Sequence, residues 1–196
     1  YGVVVPQYVA DAVVKSIADL AANKDKFNGK FYGIESGNDG NRIIQTMIDD
    51  AKNNLAGFEL VESSEAGMLT EAEKAMKNNE WILFLGWTPH PIMGEMKIHY
   101  LDGVSEYGFG GATVHTNVRA GYLTECPNAG KLVSNLKFSL AMEGAMMAPV
   151  LKDGADPKVV ALDWIKANPD SIKAWLDGVT TLDGGDAVAA VSAAIK

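Results

Sequence analysis

The chain has 196 residues, of which 47% are hydrophobic and 21% are charged, and its formal net charge is -8. These values are typical of a globular protein that buries one core or two small ones. Lysine and arginine do not cluster, so the basic patch needed to bind DNA, RNA or anionic lipid is not found, and we predict no nucleic-acid partner. The longest apolar stretches, such as residues 81–87, are shorter than the roughly 20 residues of a membrane-spanning helix.

Two features lead us to expect that the protein contains further residues outside this sequence. The chain opens with an apolar run that ends at Pro6, which predicts a strand rather than a signal peptide, and no methionine precedes it. We therefore expect that processing or cloning removed a preceding segment. Cys126 is the only cysteine, so it can form neither a disulfide within this sequence nor a multi-cysteine metal site.

In the first half of the chain, segments with the hydrophobic pattern of strands alternate with segments that have the pattern of helices. Strands are predicted at 1–5, 30–34, 58–61, 81–86 and 97–101. Helices are predicted from Ser16 through residue 21, at 40–53 and at 64–77, the second with Ile44, Ile48, Ala51 and Leu55 on one face. This alternation predicts an α/β fold with a largely parallel sheet.

The second half has a different pattern, with a glycine-rich connector at 103–111, a strand at 112–119 and then helices. Helix starts are predicted at Asp156-Pro157 and Asn168-Pro169. Apolar faces are shared by Leu132, Leu136 and Leu140, by Val160, Trp164 and Ala167, by Ile172, Trp175 and Leu176, and by Val188, Val191 and Ile195. Because these helices need a sheet to cover, we expect that their strands lie outside this sequence.

No motif in the chain predicts catalysis. His90, His99 and His115 have no metal-ligand spacing, and Ser36 lacks the glycine spacing of a G-x-S-x-G nucleophile elbow. We therefore predict no catalytic residue, no metal and no cofactor, and we expect the protein not to be an enzyme. The contrasting hypothesis is a hydrolase that uses Ser36 or Cys126 as its nucleophile.

A polar, glycine-rich loop at 33–41 joins a predicted strand to a predicted helix. In an α/β sheet such a junction lies at the carboxyl end of a strand, where ligands bind. Asn38 can both donate and accept hydrogen bonds, and the amides of the helix start can hold a carboxylate or hydroxyl. The alternative is a plain helix cap formed by Ser36 or Asn38.

A second candidate is Trp87, which follows a buried strand and precedes Pro89 and Pro91. These prolines stiffen the turn, so the indole is expected to stand rigidly at the carboxyl end of the strand. A rigid aromatic face attracts a quaternary ammonium ion by roughly 0.5 to 2 kcal/mol per ring. The remaining tryptophans, which are Trp81, Trp164 and Trp175, are interpreted as core residues.

Together these segments resemble a known family. The stretches 1–11, 33–41, 62–65, 84–91, 111–114, 117–122 and 175–179 are similar to the glycine betaine/choline-binding proteins of ABC importers, and most of all to the periplasmic choline-binding proteins. The resemblance implies a type II periplasmic-binding-protein fold, with residues 1–110 as lobe two, which carries the ligand-binding face. Residues 111–196 would be the returning, mostly helical C-terminal part of lobe one, whose opening part is expected to be absent.

The resemblance also implies a ligand site. Such proteins hold the trimethylammonium group in a box of aromatic rings, and Tyr1 and Trp87 match two of its positions. Asn38 matches the residue that contacts the polar end of the ligand, and Asp39 beside it is a weaker candidate.

The function implied is that of an extracytoplasmic substrate-binding protein that delivers choline to ABC permease subunits. Glycine betaine, carnitine and trimethylamine oxide are the alternative ligands, because they share a methylated nitrogen. The implied location is periplasmic or extracytoplasmic, with membrane contact only through the permease. In such a compartment Cys126 is expected to pair with a cysteine outside this sequence.

Overall fold

The computed structural model describes residues 1–195, which form two compact units. The first unit comprises Tyr1–Thr88 and Met93–Ala112, and the second comprises Pro89–Ile92 and the chain from Thr113 onward. No described helix is both long enough and apolar enough to cross a membrane.

A mixed sheet of five strands is the framework of the first unit. The strands are β1 (Gly2–Pro6), β2 (Lys30–Tyr32), β3 (Glu59–Val61), β4 (Phe84–Gly86) and β5 (Ile98–Tyr100), in the order β3-β2-β4-β1-β5. β2 pairs in parallel with β3 and β4, whereas β1 pairs antiparallel with both β4 and β5. Four strands therefore run in one direction and β1 runs against them, so two of the four pairings are antiparallel and the sheet is mixed rather than largely parallel.

The core of this unit surrounds the two central strands. β1 and β4 are buried over their whole length. Both are continuous apolar runs rather than alternating ones, a pattern typical of strands that are covered on both faces. The position of residues at the ends of β1 and β4 is therefore fixed by a dry, close-packed interior.

The α-helices among the first hundred residues are α1 (Gln7–Ala12), α2 (Asp39–Asp49), α3 (Glu65–Lys77) and α4 (Pro91–Glu95). Side-chain oxygens cap α2 and α3. Asn38 accepts the N–H of Gly40 at 2.7 Å, and Ser64 accepts the N–H of Gly67 at 3.0 Å. These bonds satisfy amides that the first turn of a helix leaves unpaired, which explains why both helices begin where the sequence predicts.

Some boundaries differ from the expected ones. The region from residue 16 forms 3-10 segments instead of an α-helix, and only the end of the expected strand at 81–86 pairs as β4. α2 stops at Asp49 instead of residue 53, because Asp50 is extended and its carboxylate accepts the N–H of Lys52 at 3.1 Å. Ala51 is consequently exposed, and Met47 is buried on the inner face of α2 in its place.

The second unit contains helices and, within the described residues, none of the strands of the sheet. They are α5 (Tyr122–Glu125), α6 (Pro127–Asn135), α7 (Leu140–Asp153), α8 (Pro157–Ala167), α9 (Pro169–Trp175) and α10 (Ala187–Ala194). The predicted strand at 112–119 is wrong: this segment has no regular structure and its side chains are exposed. A β-rich composition forms a strand only where another strand supplies its hydrogen bonds, and none of the described strands pairs with this segment.

The core of the second unit is small. Ile172, Leu176 and Ala187 are buried, and partly buried side chains from α6, α8, α9 and α10 pack against them. Trp164 and Trp175 are half-buried rather than fully buried, and their rings stack at 5.8 Å. The face predicted for Leu132, Leu136 and Leu140 does not lie on one helix, because α6 ends at Asn135 and α7 begins at Leu140.

We predict that Gly86→Ala destabilises the first unit. A Cβ at residue 86 would lie 2.6 Å from Cγ1 of Val4, which has no solvent exposure. Valine is stiff at χ1, so the contact can be relieved only by moving β1 away from β4. The free energy of unfolding in urea should fall by about 1–3 kcal/mol.

Gly94→Ala is the matched control, because a Cβ at residue 94 of α4 meets no atom within 4 Å. It should leave the free energy of unfolding unchanged or raise it by up to about 1 kcal/mol, because alanine favours a helix more than glycine does. Equal values for the two variants would show that the close approach of β1 and β4 at Gly86 is not a constraint.

Candidate functional site

The reversed direction of β1 brings distant residues to one edge of the sheet. Because β1 is antiparallel to β4, its first residue lies beside the last residue of β4, and Gly2 pairs with Gly86. Tyr1 and Trp87 are the next residues outward on each strand. β2 runs parallel to β4, so the loop at 33–38 emerges at the same edge.

Tyr1 lies between two aromatic neighbours. Its ring meets Trp87 edge to face, with centroids 6.4 Å apart and planes at 65°. On another side it meets Phe109 at 5.3 Å and 72°, and Phe109 is only 3% exposed. The backbone is fixed as well, because the N–H of Gly110 donates to the Tyr1 carbonyl at 2.9 Å. Tyr1 itself remains 36% exposed, so solvent can reach part of the residue.

The backbone of Trp87 is held by the turn that follows β4. Its N–H donates to Sδ of Met93 at 3.3 Å, and Met93 is buried in α4. The indole is half-buried. Trp87 therefore stands at the carboxyl end of a buried strand, as the sequence predicts, with an aromatic surface next to Tyr1.

Asn38 is both a helix cap and a neighbour of Tyr1. Its Oδ1 accepts the Gly40 N–H at 2.7 Å and also the Tyr1 hydroxyl at 3.1 Å. The two interpretations from the sequence, a cap and a site residue, are therefore compatible. Ser36, the other candidate cap, is exposed in the loop.

The hydroxyl of Tyr1 sits against the start of α2. A Cβ at residue 40 would lie 1.8 Å from this oxygen, so only glycine leaves room for it. Burial raises the pKa of the Tyr1 phenol above its usual value, and the negative charge of Asp39 raises this pKa further. A hydrogen bond from the Gly40 backbone lowers this pKa and partly offsets the rise. A phenol is already protonated at neutral pH, so the raised pKa leaves it in that form.

Asp39 is placed next to this group but faces solvent. Its carboxylate pairs with Arg42 at 2.6 Å, and the two side chains are 80% and 75% exposed. Exposed pairs of this kind contribute little to stability. Asp39 is thus a source of negative charge near Tyr1 rather than a rigid contact.

Asn41 holds the loop and is the residue that sequence reasoning overlooks. It is 2% exposed, and its amide bonds both the N–H and the carbonyl of Ile34 at 3.0 Å. The same amide donates to the Glu35 carbonyl at 3.2 Å and to Glu62 at 3.0 Å. Its only signal in the sequence is a polar residue in the first turn of a predicted helix, where burial is unexpected.

Ser36, one of the two nucleophiles of the hydrolase hypothesis, is exposed in the loop at 33–38. The His115 ring lies 2.9 Å from Oγ1 of Thr113 in an exposed segment, and Cys126 is half-buried at the start of α6. Among residues 1–195, no group of histidine, cysteine and carboxylate side chains could hold a metal ion.

Comparison with known proteins gives a family match over residues 1–167, to the substrate binding domain of ABC-type glycine betaine transport systems. A solved structure described as an ABC-transporter choline binding protein in complex with choline is 51% identical, with a TM-score of 0.89. The match covers 100% of this chain and 68% of the choline-binding chain. The structure of lactococcal OpuAC complexed with glycine betaine is 28% identical, with a TM-score of 0.75, and 89% and 65% of the two chains are covered.

A curated relative is the glycine betaine/carnitine transport binding protein GbuC of Listeria monocytogenes, which is 32% identical over 174 residues. The match covers 87% of this chain and 58% of the relative. The chain therefore spans little more than half the length of that protein.

We predict that Asn41→Leu loosens the loop at 33–38. Leucine keeps the volume but leaves the N–H and carbonyl of Ile34 buried without their partner. The free energy of unfolding should fall by about 1–3 kcal/mol, and amide exchange at Ile34 should accelerate. Gln45→Leu removes one exposed hydrogen bond to Asp49 in the same helix and serves as the control. Equal stability of the two variants would contradict a structural role for Asn41.

Proposed function

We propose, from the premise that this chain belongs to the family of substrate-binding domains of ABC-type glycine betaine transport systems, that its first unit binds the trimethylammonium group of choline. The chain has the α/β fold of the periplasmic-binding proteins, and its relatives are binding proteins rather than enzymes. The hydrolase hypothesis for Ser36 or Cys126 is therefore wrong.

The observation that carries the proposal is the pair formed by Tyr1 and Trp87. A trimethylammonium group has no N–H, so it cannot be recognised by hydrogen bonds and instead prefers the negative faces of aromatic rings. Two rings at 65° to each other, 6.4 Å apart and both partly exposed, offer such faces to a ligand at the sheet edge. We assign the cationic head of the ligand to these rings.

Asn38 is the residue that we assign to the polar end of the ligand. Its amide is within hydrogen-bonding distance of the Tyr1 hydroxyl, so both ends of a small ligand can be contacted from one edge. Choline places a hydroxyl two carbons from its nitrogen, and glycine betaine places a carboxylate at a similar distance. Either group can accept a hydrogen bond from an amide.

The choice of choline rests on similarity. The choline-complex structure is 51% identical to this chain, compared with 28% for the glycine betaine complex. Glycine betaine, carnitine and trimethylamine oxide are the alternatives.

The role of the whole protein is also part of the proposal. We assign residues 1–110 to one lobe of a two-lobed binding protein and residues 111–196 to part of the other lobe. The relatives are longer than this chain, and we expect further ligand contacts in the residues that they have in addition. Such a protein would work outside the cytoplasm and deliver its ligand to ABC permease subunits. Uptake of such ligands would serve osmoprotection.

We predict that Trp87→Ala weakens choline binding by the full-length protein. The variant loses one cation–π contact and the burial of one ring, together worth about 1–3 kcal/mol. Isothermal titration calorimetry should therefore show an affinity reduced by about fivefold to 150-fold. The wild-type protein should also bind choline more tightly than glycine betaine.

Trp81→Ala is the control, because Trp81 precedes β4 at the opposite end of the strand and contacts Phe27 and Lys26. It should leave choline affinity unchanged in the folded protein. An unchanged affinity in Trp87→Ala would remove Trp87 from the site, and tighter binding of glycine betaine would assign that ligand instead of choline.

A further inference from the structure

The orientation of the Asn38 side chain is fixed by chemistry. The backbone N–H of Gly40 points at one atom of the carboxamide from 2.7 Å. A backbone N–H can only donate, so the atom that faces it must be the oxygen. The NH2 group of Asn38 is consequently turned to the other side.

The hydroxyl of Tyr1 adds a second donor to the same oxygen. Because Oδ1 has no hydrogen, the hydroxyl must donate to it across the 3.1 Å that separate them. The two donors occupy the two lone pairs of Oδ1. Among the described residues, the NH2 group of Asn38 has no hydrogen-bond partner, so its two protons remain for a ligand.

Several independent contacts hold the Tyr1 hydroxyl in this place. The ring packs against buried Phe109, the backbone bonds Gly110, and the space at residue 40 is open only because that residue is glycine. A tyrosine phenol is protonated at neutral pH, so its proton is available to Asn38. Without these contacts, the Tyr1 side chain would not be held against the start of α2.

We propose that the Tyr1 hydroxyl is a positioning group that acts together with the Gly40 N–H: as the second donor to Oδ1, it holds Asn38 as a pure hydrogen-bond donor towards the ligand. The site then selects trimethylammonium compounds whose other end presents an acceptor oxygen, either a hydroxyl or a carboxylate. Tyr1 thus has two roles: its ring contacts the cation, and its hydroxyl acts on the polar end through Asn38. This inference rests on the proposed function.

The alternative is that the Tyr1–Asn38 bond only stabilises the fold. In that case its removal would affect every ligand equally or none at all. A positioning role instead predicts a difference between ligands that have a polar end and tetramethylammonium, which has the same cationic head without one. This difference separates the two explanations.

The test compares Tyr1→Phe with wild type in the full-length protein, with choline, glycine betaine and tetramethylammonium as ligands in calorimetry. Phenylalanine keeps the ring but removes one of the two donors to Oδ1, so the Gly40 N–H alone holds Asn38 and the carboxamide is positioned less firmly. Affinities for choline and glycine betaine should fall by about twofold to tenfold, whereas that for tetramethylammonium should stay within about twofold. An equal change for all three ligands, or no change for any, would overturn the proposal.

A double-mutant cycle sharpens the test. Asn38→Ala should reproduce the ligand-dependent loss, and adding Tyr1→Phe to it should cause no further loss for choline, because the hydroxyl acts only through Asn38. Additive losses would contradict this mechanism.

Tyr8→Phe is the matched control, since the Tyr8 hydroxyl donates to the Glu80 carbonyl and has no contact with Asn38. It should leave all three affinities unchanged. If the wild-type protein bound none of the three ligands, the proposed function itself would fail. Wild-type binding with a uniform response to Tyr1→Phe would refute the positioning role alone.

Discussion

The antiparallel pairing of β1 with β4 is the constraint on which the site depends. It aligns Gly2 with Gly86, so the two residues beyond these glycines, Tyr1 and Trp87, meet although they are far apart in the chain. If β1 ran parallel to its neighbours, Tyr1 would lie at the opposite edge of the sheet from Trp87 and from the loop at 33–38. The reversed strand therefore brings two separate aromatic residues together at the edge that we propose binds the ligand.

Small residues make the close approaches at this edge possible. A side chain at residue 86 would push against buried Val4, and one at residue 40 would occupy the space of the Tyr1 hydroxyl. The buried amide of Asn41 then ties the loop at 33–38 to β3 through Glu62. These contacts leave the site residues little freedom before a ligand arrives, which lowers the entropic cost of binding.

The sequence predicts the parts of this site that follow from local rules. Trp87 directly follows a strand and Asn38 lies in the loop between a strand and a helix, at the side of the sheet where α/β proteins bind ligands, and the structure places both there. The register of β1 is a long-range property, so only the family resemblance suggested Tyr1, and its hydrogen bond to Asn38 was not expected. The strand expected at 112–119 fails for a related reason: local composition was favourable, but no described strand pairs with it. Likewise, the helical spacing of Leu132, Leu136 and Leu140 does not reveal that α6 ends at Asn135 and that the backbone of Leu136 is extended.

The central claim is that this edge recognises positive charge through aromatic rings. The most direct test compares choline with 3,3-dimethylbutan-1-ol, which has the same shape and hydroxyl but a carbon in place of the charged nitrogen. The neutral compound loses less hydration on binding, so a preference for choline must come from favourable contacts with the cation. In calorimetry on the full-length protein, choline should bind at least about tenfold more tightly. Equal affinity, or tighter binding of the neutral compound, would contradict the account.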